Sequence, residues 1–140
     1  MSKCGKYVKV NSPKECCKKC SNEVSGTTSL EVTFGDTGTT VATIEVSWVK
    51  NCKLKNLCIP DFTFTVPDIE GVNNLITSPS TPLPEIIRPN QIDTFFATFE
   101  QNNIGFVQVR TDGSIAFVRT ADGFIPNSQA TVLGTCLTYQ

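Results

Sequence analysis

Seven cysteines and no histidine set the chemistry open to this 140-residue chain. Without imidazole there is no Ser-His-Asp triad, no Cys-His nucleophile pair and no histidine metal site. The carboxylates are scattered, and no glycine-rich phosphate loop is present. The chain is therefore expected to be no enzyme and to need no cofactor. Four cysteines crowd the N-terminus: Cys4, Cys16, Cys17 and Cys20. They could hold zinc, but only Cys17 and Cys20 have the close spacing of a structural zinc pair. A redox role for that pair lacks the surrounding βαβ pattern. Disulfides within the segment or between chains are the better reading. Adjacent Cys16 and Cys17 suit two different partners, because neighbouring α-carbons sit only about 3.8 Å apart. Cys52 and Cys58 flank a turn and are spaced to close a small loop. For Cys58 and Cys136, plain burial as small apolar residues is the simplest alternative. The odd count leaves at least one thiol free, metal-bound or joined to another chain.

The net charge of -1 hides a split. Lys3, Lys6, Lys9, Lys14, Lys18 and Lys19 face Glu15 alone within residues 1–20, whereas the rest of the chain has six cations against twelve carboxylates. Such a cationic arm on an acidic body either remains a solvated tail or docks on a neighbouring subunit, since opposite patches steer association. Nucleic acid is not the expected partner, because the arm has no Arg and only Tyr7 among aromatics. It is also too poor in apolar residues to fold alone. The expected division is residues 1–25 as a Cys/Lys-rich arm and 26–140 as one folded domain.

The elements that position these residues read as strands. Thr, Val, Ile and Phe are abundant, and Gly, Pro, Asn and Asp punctuate the chain at short intervals. Leu30, Val32 and Phe34 alternate until Gly35-Asp36-Thr37-Gly38 stops them. Ala42, Ile44, Val46 and Trp48 alternate against Thr43, Glu45 and Ser47, the pattern of a half-buried strand. Lys50 to Asn56 reads as a polar connection before Leu57-Cys58-Ile59, and Phe62, Phe64 and Val66 follow. Residues 69–90 read as one long crossing connection, because Pro79, Pro82, Pro84 and Pro89 oppose a central strand or a helix. Phe95, Ala97 and Phe99 begin the next strand.

Asp112-Gly113 then predicts a hairpin with a two-residue type I′ turn. That register pairs Val109 with Ala116 and Val107 with Val118, and Thr131 to Tyr139 closes the chain as a last strand. About eight strands result, giving an all-β antiparallel sandwich, jelly-roll-like. Its expected core includes Ala42, Ile44, Val46, Trp48, Phe62, Phe64, Val107, Val109 and Val118. No apolar run reaches the roughly 18 residues of a membrane span. The basic start lacks the apolar stretch of a secretory signal.

A spaced pattern runs from Val46 to Tyr139. Trp48-Val49-Lys50 is followed by Leu57-Cys58-Ile59-Pro60, then Leu83-Pro84-Glu85-Ile86-Ile87-Arg88-Pro89, then the hairpin Gly105 to Ile115, and last Leu137-Thr138-Tyr139. This resembles the β-sandwich head domains at the tips of viral fibres and of phage tail and baseplate receptor-binding proteins. The resemblance implies a trimeric, non-enzymatic protein on a particle surface, serving as capsid decoration, short fibre or spike, with other capsid or coat proteins as partners. The arm lies outside that pattern. With Cys136 it is similar instead to subunits of disulfide-linked bacterial spore appendages, which implies an extracellular filament or coat. A carbohydrate- or receptor-binding module is the further alternative, using the exposed loops at the sandwich ends.

Overall fold

In the computed structural model, residues 22–100, 103–120 and 122–140 are described. The β-rich composition yields ten strands: β1 (Glu23–Phe34), β2 (Thr40–Asn51), β3 (Leu54–Ile59), β4 (Phe62–Thr65), β5 (Asn74–Thr77), β6 (Asp93–Thr98), β7 (Ile104–Val109), β8 (Ile115–Arg119), β9 (Gln129–Val132) and β10 (Thr135–Tyr139). Eight form one antiparallel sheet in the order β10-β3-β2-β1-β5-β8-β7-β6, and β4 pairs with β9 in a second, smaller sheet. The large sheet rolls until its two edges meet. Phe95 of β6 and Tyr139 of β10 pack at a tilt with ring centroids 6.3 Å apart, and the Asn90 amide donates to the Gln140 carbonyl at 3.1 Å. The small sheet lays Phe62 and Phe64 across the concave side, so the expected all-β sandwich is present in a nearly closed form.

The period of two puts Leu30, Val32 and Phe34, Ile44 and Val46, Leu57 and Ile59, Leu75, Val107 and Val109, Ile115 and Phe117, and Leu137 and Tyr139 on the buried face. Ala42 and Trp48 pack against this core while remaining partly exposed. Phe34, Phe64 and Phe99 surround the ring of Phe124 at centroid distances of 5.9, 5.4 and 6.1 Å.

Several expectations are corrected. The span 69–90 is not one connection, because Asn74–Thr77 form β5 in the middle of the large sheet, between β1 and β8. The prolines begin only at Pro79, and among them a single 3-10 turn spans Glu85–Ile87, between Pro84 and Pro89. Lys50 to Asn56 is a tight hairpin rather than a loose connection: Asn51 pairs with Leu54, and Cys52 adopts φ 58° between them. The C-terminal stretch divides into β9 and β10 at Leu133-Gly134, which carries the chain from the small sheet to the large one. The Gly134 amide donates to the Asp61 carboxylate there, and a Cβ on Gly134 would lie 2.6 Å from the Ile59 carbonyl oxygen. At the other end, Glu23–Ser25 already pair with Val49–Asn51.

The Asp-Gly hairpin exists with a different turn. Val109 pairs with Ile115 and Val107 with Phe117, one residue away from the expected register. The Arg110 amide donates to the Ser114 carbonyl and the Gly113 amide donates to the Arg110 carbonyl, both at 3.0 Å. Among the three loop residues 111–113 only Gly113, at φ 89°, is left-handed. This is the three-residue loop of a type I turn followed by a glycine bulge, not a type I′ turn. One residue of slip exchanges the faces of a strand. Phe117 is therefore buried where Val118 was expected, and Val118 is only half-buried.

Two polar side chains fasten the Pro-rich segment to the rolled sheet. The Tyr139 hydroxyl donates to the Ile87 carbonyl at 2.7 Å, and the Lys55 Nζ donates to the Arg88 carbonyl at 2.6 Å. Burial, with Asp93 second, pushes the Tyr139 phenol well above its usual value near 10. Burial, with Lys50 second, lowers the Lys55 ammonium.

Phe117→Ala is expected to cost about 3–5 kcal/mol and Val118→Ala about 1 kcal/mol or less in urea unfolding. Equal losses would restore the type I′ register. Tyr139→Phe should cost about 1–3 kcal/mol near neutrality, because it leaves the Ile87 carbonyl unpaired. The folded phenol keeps its proton above the pH at which the unfolded one loses it. Stability from Tyr139 is thus complete below pH 10 and falls as pH rises beyond it. Lys55 acts in the opposite sense, its burden easing as pH rises through its lowered value. Melting temperatures measured from pH 8 upward should decline less steeply in Tyr139→Phe than in the native chain.

Candidate binding surface

The candidate cysteines separate. Cys58 of β3 and Cys136 of β10 are direct cross-strand partners with α-carbons 4.0 Å apart, and they form a disulfide that spans 78 residues of sequence. Simple burial is therefore the wrong reading for both, and so is a Cys52–Cys58 loop. Leu57, Ile59, Leu137 and Tyr139 take the inner positions of these strands, so Cys58 and Cys136 lie on the outer face, where Cys136 is exposed. Cys52, at the tip of the β2–β3 hairpin, is half-buried and has no disulfide partner among the described residues. Cys136, the residue outside the arm that carried the spore-appendage likeness, is bonded within its own chain. Cys4, Cys16, Cys17, Cys20 and the lysines Lys3, Lys6, Lys9, Lys14, Lys18 and Lys19 lie outside the described residues. Among the described residues no group of three or more His, Cys, Asp or Glu is arranged to hold a metal ion.

The turn residues Asp112 and Gly113 serve the scaffold. The Asp112 carboxylate accepts from the Ser114 hydroxyl at 2.7 Å and from its amide at 2.9 Å. The hydroxyl bond foremost holds this carboxyl below its usual range. The turn also docks on the Pro-rich segment: the Leu83 amide donates to the Gly113 carbonyl at 2.9 Å, and Arg88 Nε donates to the Leu83 carbonyl at 2.8 Å. A Cβ on Gly113 would lie 2.7 Å from Arg88 Nε, so the close approach needs glycine as much as the positive φ does. Leu83-Pro84, Arg88-Pro89 and Asp112-Gly113 are thus touching pieces of one corner.

The recesses formed by the described residues include three of note. One of about 420 Å³ lies where the sheet edges meet, between Asn90, Asp93, Phe95 and Thr138. A shallow one of about 310 Å³ lies beside Trp48 and Cys58. The third, of about 180 Å³, is a cleft between the end of β8 and the segment leading into β9, containing Arg119 and Phe124. Most of the described aromatics are buried in the core or packed against it, but Phe96 is 87% exposed. Phe96 pairs across strands with Phe106, beside Ile104, which is 55% exposed. The outward positions of β6 and β7 are Thr94, Phe96, Thr98, Ile104, Phe106 and Gln108, none of them charged. Two adjacent phenylalanines at positions 95 and 96 were the available signal, because a strand can bury only one of such a pair.

Replacing both Cys58 and Cys136 by Ser should cost about 2–4 kcal/mol in unfolding measurements, since the bond closes a long loop of the unfolded chain. Peptide mapping without reductant should recover the two cysteines joined to each other.

No protein family matches the sequence, and no curated protein matches it. Solved structures do. A reovirus attachment protein, sigma1, solved in complex with alpha-2,3-sialyllactose, is 14% identical over 84% of this chain and 65% of that chain, with a TM-score of 0.53. The head domain of the porcine adenovirus type 4 NADC-1 isolate fibre is 9% identical over 81% of this chain and 96% of that chain, with a TM-score of 0.49. This chain spans 65% of the length of the attachment-protein chain it matches. At such identity the likeness is one of fold: the rolled antiparallel β-sandwich resembles that of a viral attachment protein.

Proposed function

We propose that this chain is the non-enzymatic head of a virion-surface protein, which assembles as a homotrimer and presents a receptor- or glycan-binding surface. The observation that carries this reading is the shared fold with the reovirus attachment protein, a molecule solved with a bound sialylated sugar. The uncharged, apolar outer face of β6 and β7 supports self-association, because contiguous exposed apolar patches mark interaction sites. Residues 1–20 act as an arm that docks its lysines on the acidic body of a neighbouring subunit or on another capsid or coat protein. At least one of Cys4, Cys16, Cys17 and Cys20 is held there in a crosslink or metal site.

Light scattering on the purified chain should give the mass of a closed trimer. Phe96→Asp together with Ile104→Asp should shift it to monomer with the melting curve of the monomer unchanged. A native chain that stays monomeric at high micromolar concentration overturns the assembly. Gel electrophoresis without reductant should show covalent multimers that disappear when residues 1–20 are removed.

A further inference from the structure

The cleft beside Arg119 has features that the scaffold does not use. Arg119 ends β8 on the inner face of the sheet, and its guanidinium carbon sits 5.0 Å from the centroid of the Phe124 ring. Phe124 is packed into the core and only 2% exposed, so the platform under the cation is fixed. The Nε–H is shut off from solvent and has no hydrogen-bond partner among the described residues. A buried donor without an acceptor is costly, and native structures rarely keep one without a reason. A guanidinium seated over an aromatic face makes a cation–π contact, and its fork of N–H donors matches a planar two-oxygen acceptor.

The rest of the lining suits a sugar. Asn103 Nδ2 already donates to the Glu100 carbonyl at 3.1 Å and the Ser128 hydroxyl to the Ile125 carbonyl at 2.6 Å, so their oxygens remain as acceptors beside the Gln129 side chain, and the cleft's volume of about 180 Å³ admits one ring-sized group. Glu100 also lines it, and its charge opposes an anion. We propose that the Arg119 cleft binds the carboxylate of a single acidic sugar residue, with the guanidinium taking the carboxylate and Asn103, Ser128 and Gln129 the ring hydroxyls. This rests on the reading of the chain as a ligand-presenting head and names the chemistry of one site on it.

The test is an amide and arginine side-chain NMR titration of the full chain with three probes: glucuronate, glucose, and an N-acetylated dipeptide with a free carboxyl end. Glucuronate should move the Arg119 Nε–Hε resonance saturably in the millimolar range expected for a monosaccharide, and glucose should not. Arg119→Lys, checked to be folded from its own spectrum, should weaken glucuronate binding at least tenfold. Glu100→Gln should tighten it by removing the opposing charge. Equal shifts with glucose, stronger binding of the dipeptide, or binding indifferent to both substitutions would overturn the assignment. Light scattering on the same samples separates the two readings. A trimer that ignores glucuronate loses the cleft and keeps the head, whereas a monomer that binds it keeps the cleft and loses the assembly.

Discussion

A single antiparallel sheet has two open edges and one face to hide, and in this chain both demands meet at the phenylalanines. Rolling the large sheet brings β6 against β10 and encloses Phe34, Phe99 and Phe117, while the small sheet adds Phe62 and Phe64 from the other side. Phe124 fills the space between the layers, touching Phe34, Phe64 and Phe99 within ordinary aromatic distances. Each ring buries a large apolar area, so the curl of the sheet and the position of β4 and β9 follow from filling this volume. The two edges meet through the Phe95–Tyr139 contact and the Asn90–Gln140 backbone hydrogen bond.

Closure has consequences at the seam. The Pro-rich segment after β5 crosses the end of the barrel, where a backbone without strand partners must still find hydrogen bonds. Tyr139, Lys55 and the Asp-Gly turn supply them through the carbonyls of Ile87 and Arg88 and the amide of Leu83. The Cys58–Cys136 bond lies outside the core on the strands beside this seam, and it holds β10 to β3 from the solvent side. Packing inside and covalent bonding outside thus secure the same strand pair. The functional proposals use what these constraints leave over: an apolar face turned outward on β6 and β7, and a cation at the end of β8 whose Nε lacks a partner among the described residues.

Alternation along β1, β2 and β4 was legible residue by residue, because a half-buried strand must alternate and Leu30, Ile44 or Phe64 can satisfy only one phase. The absence of histidine removed whole classes of catalysis from composition alone. The Leu-Pro, Arg-Pro and Asp-Gly elements were visible as spaced pieces. Their mutual contact was not, since residues 83 and 113 are joined only through the folded corner.

Local chemistry in the sequence determined that there is a turn at Asp112-Gly113, that strands run on both sides of it, and that the class is all-β. Tertiary packing decided the register. Val107 and Val109 can share a face with either Phe117 or Val118, and only the enclosed volume beside Phe62 selects the phenylalanine, with ring centroids 5.5 Å apart. The same holds for β5, which four residues could not announce before flanking strands existed to pair with them. It holds for Phe124 in a segment with no periodicity, and for Cys58 and Cys136, whose partnership spans 78 residues. Propensity and turn preference act over a few neighbouring residues, whereas burial, register and disulfide pairing are settled by which surfaces exclude water together.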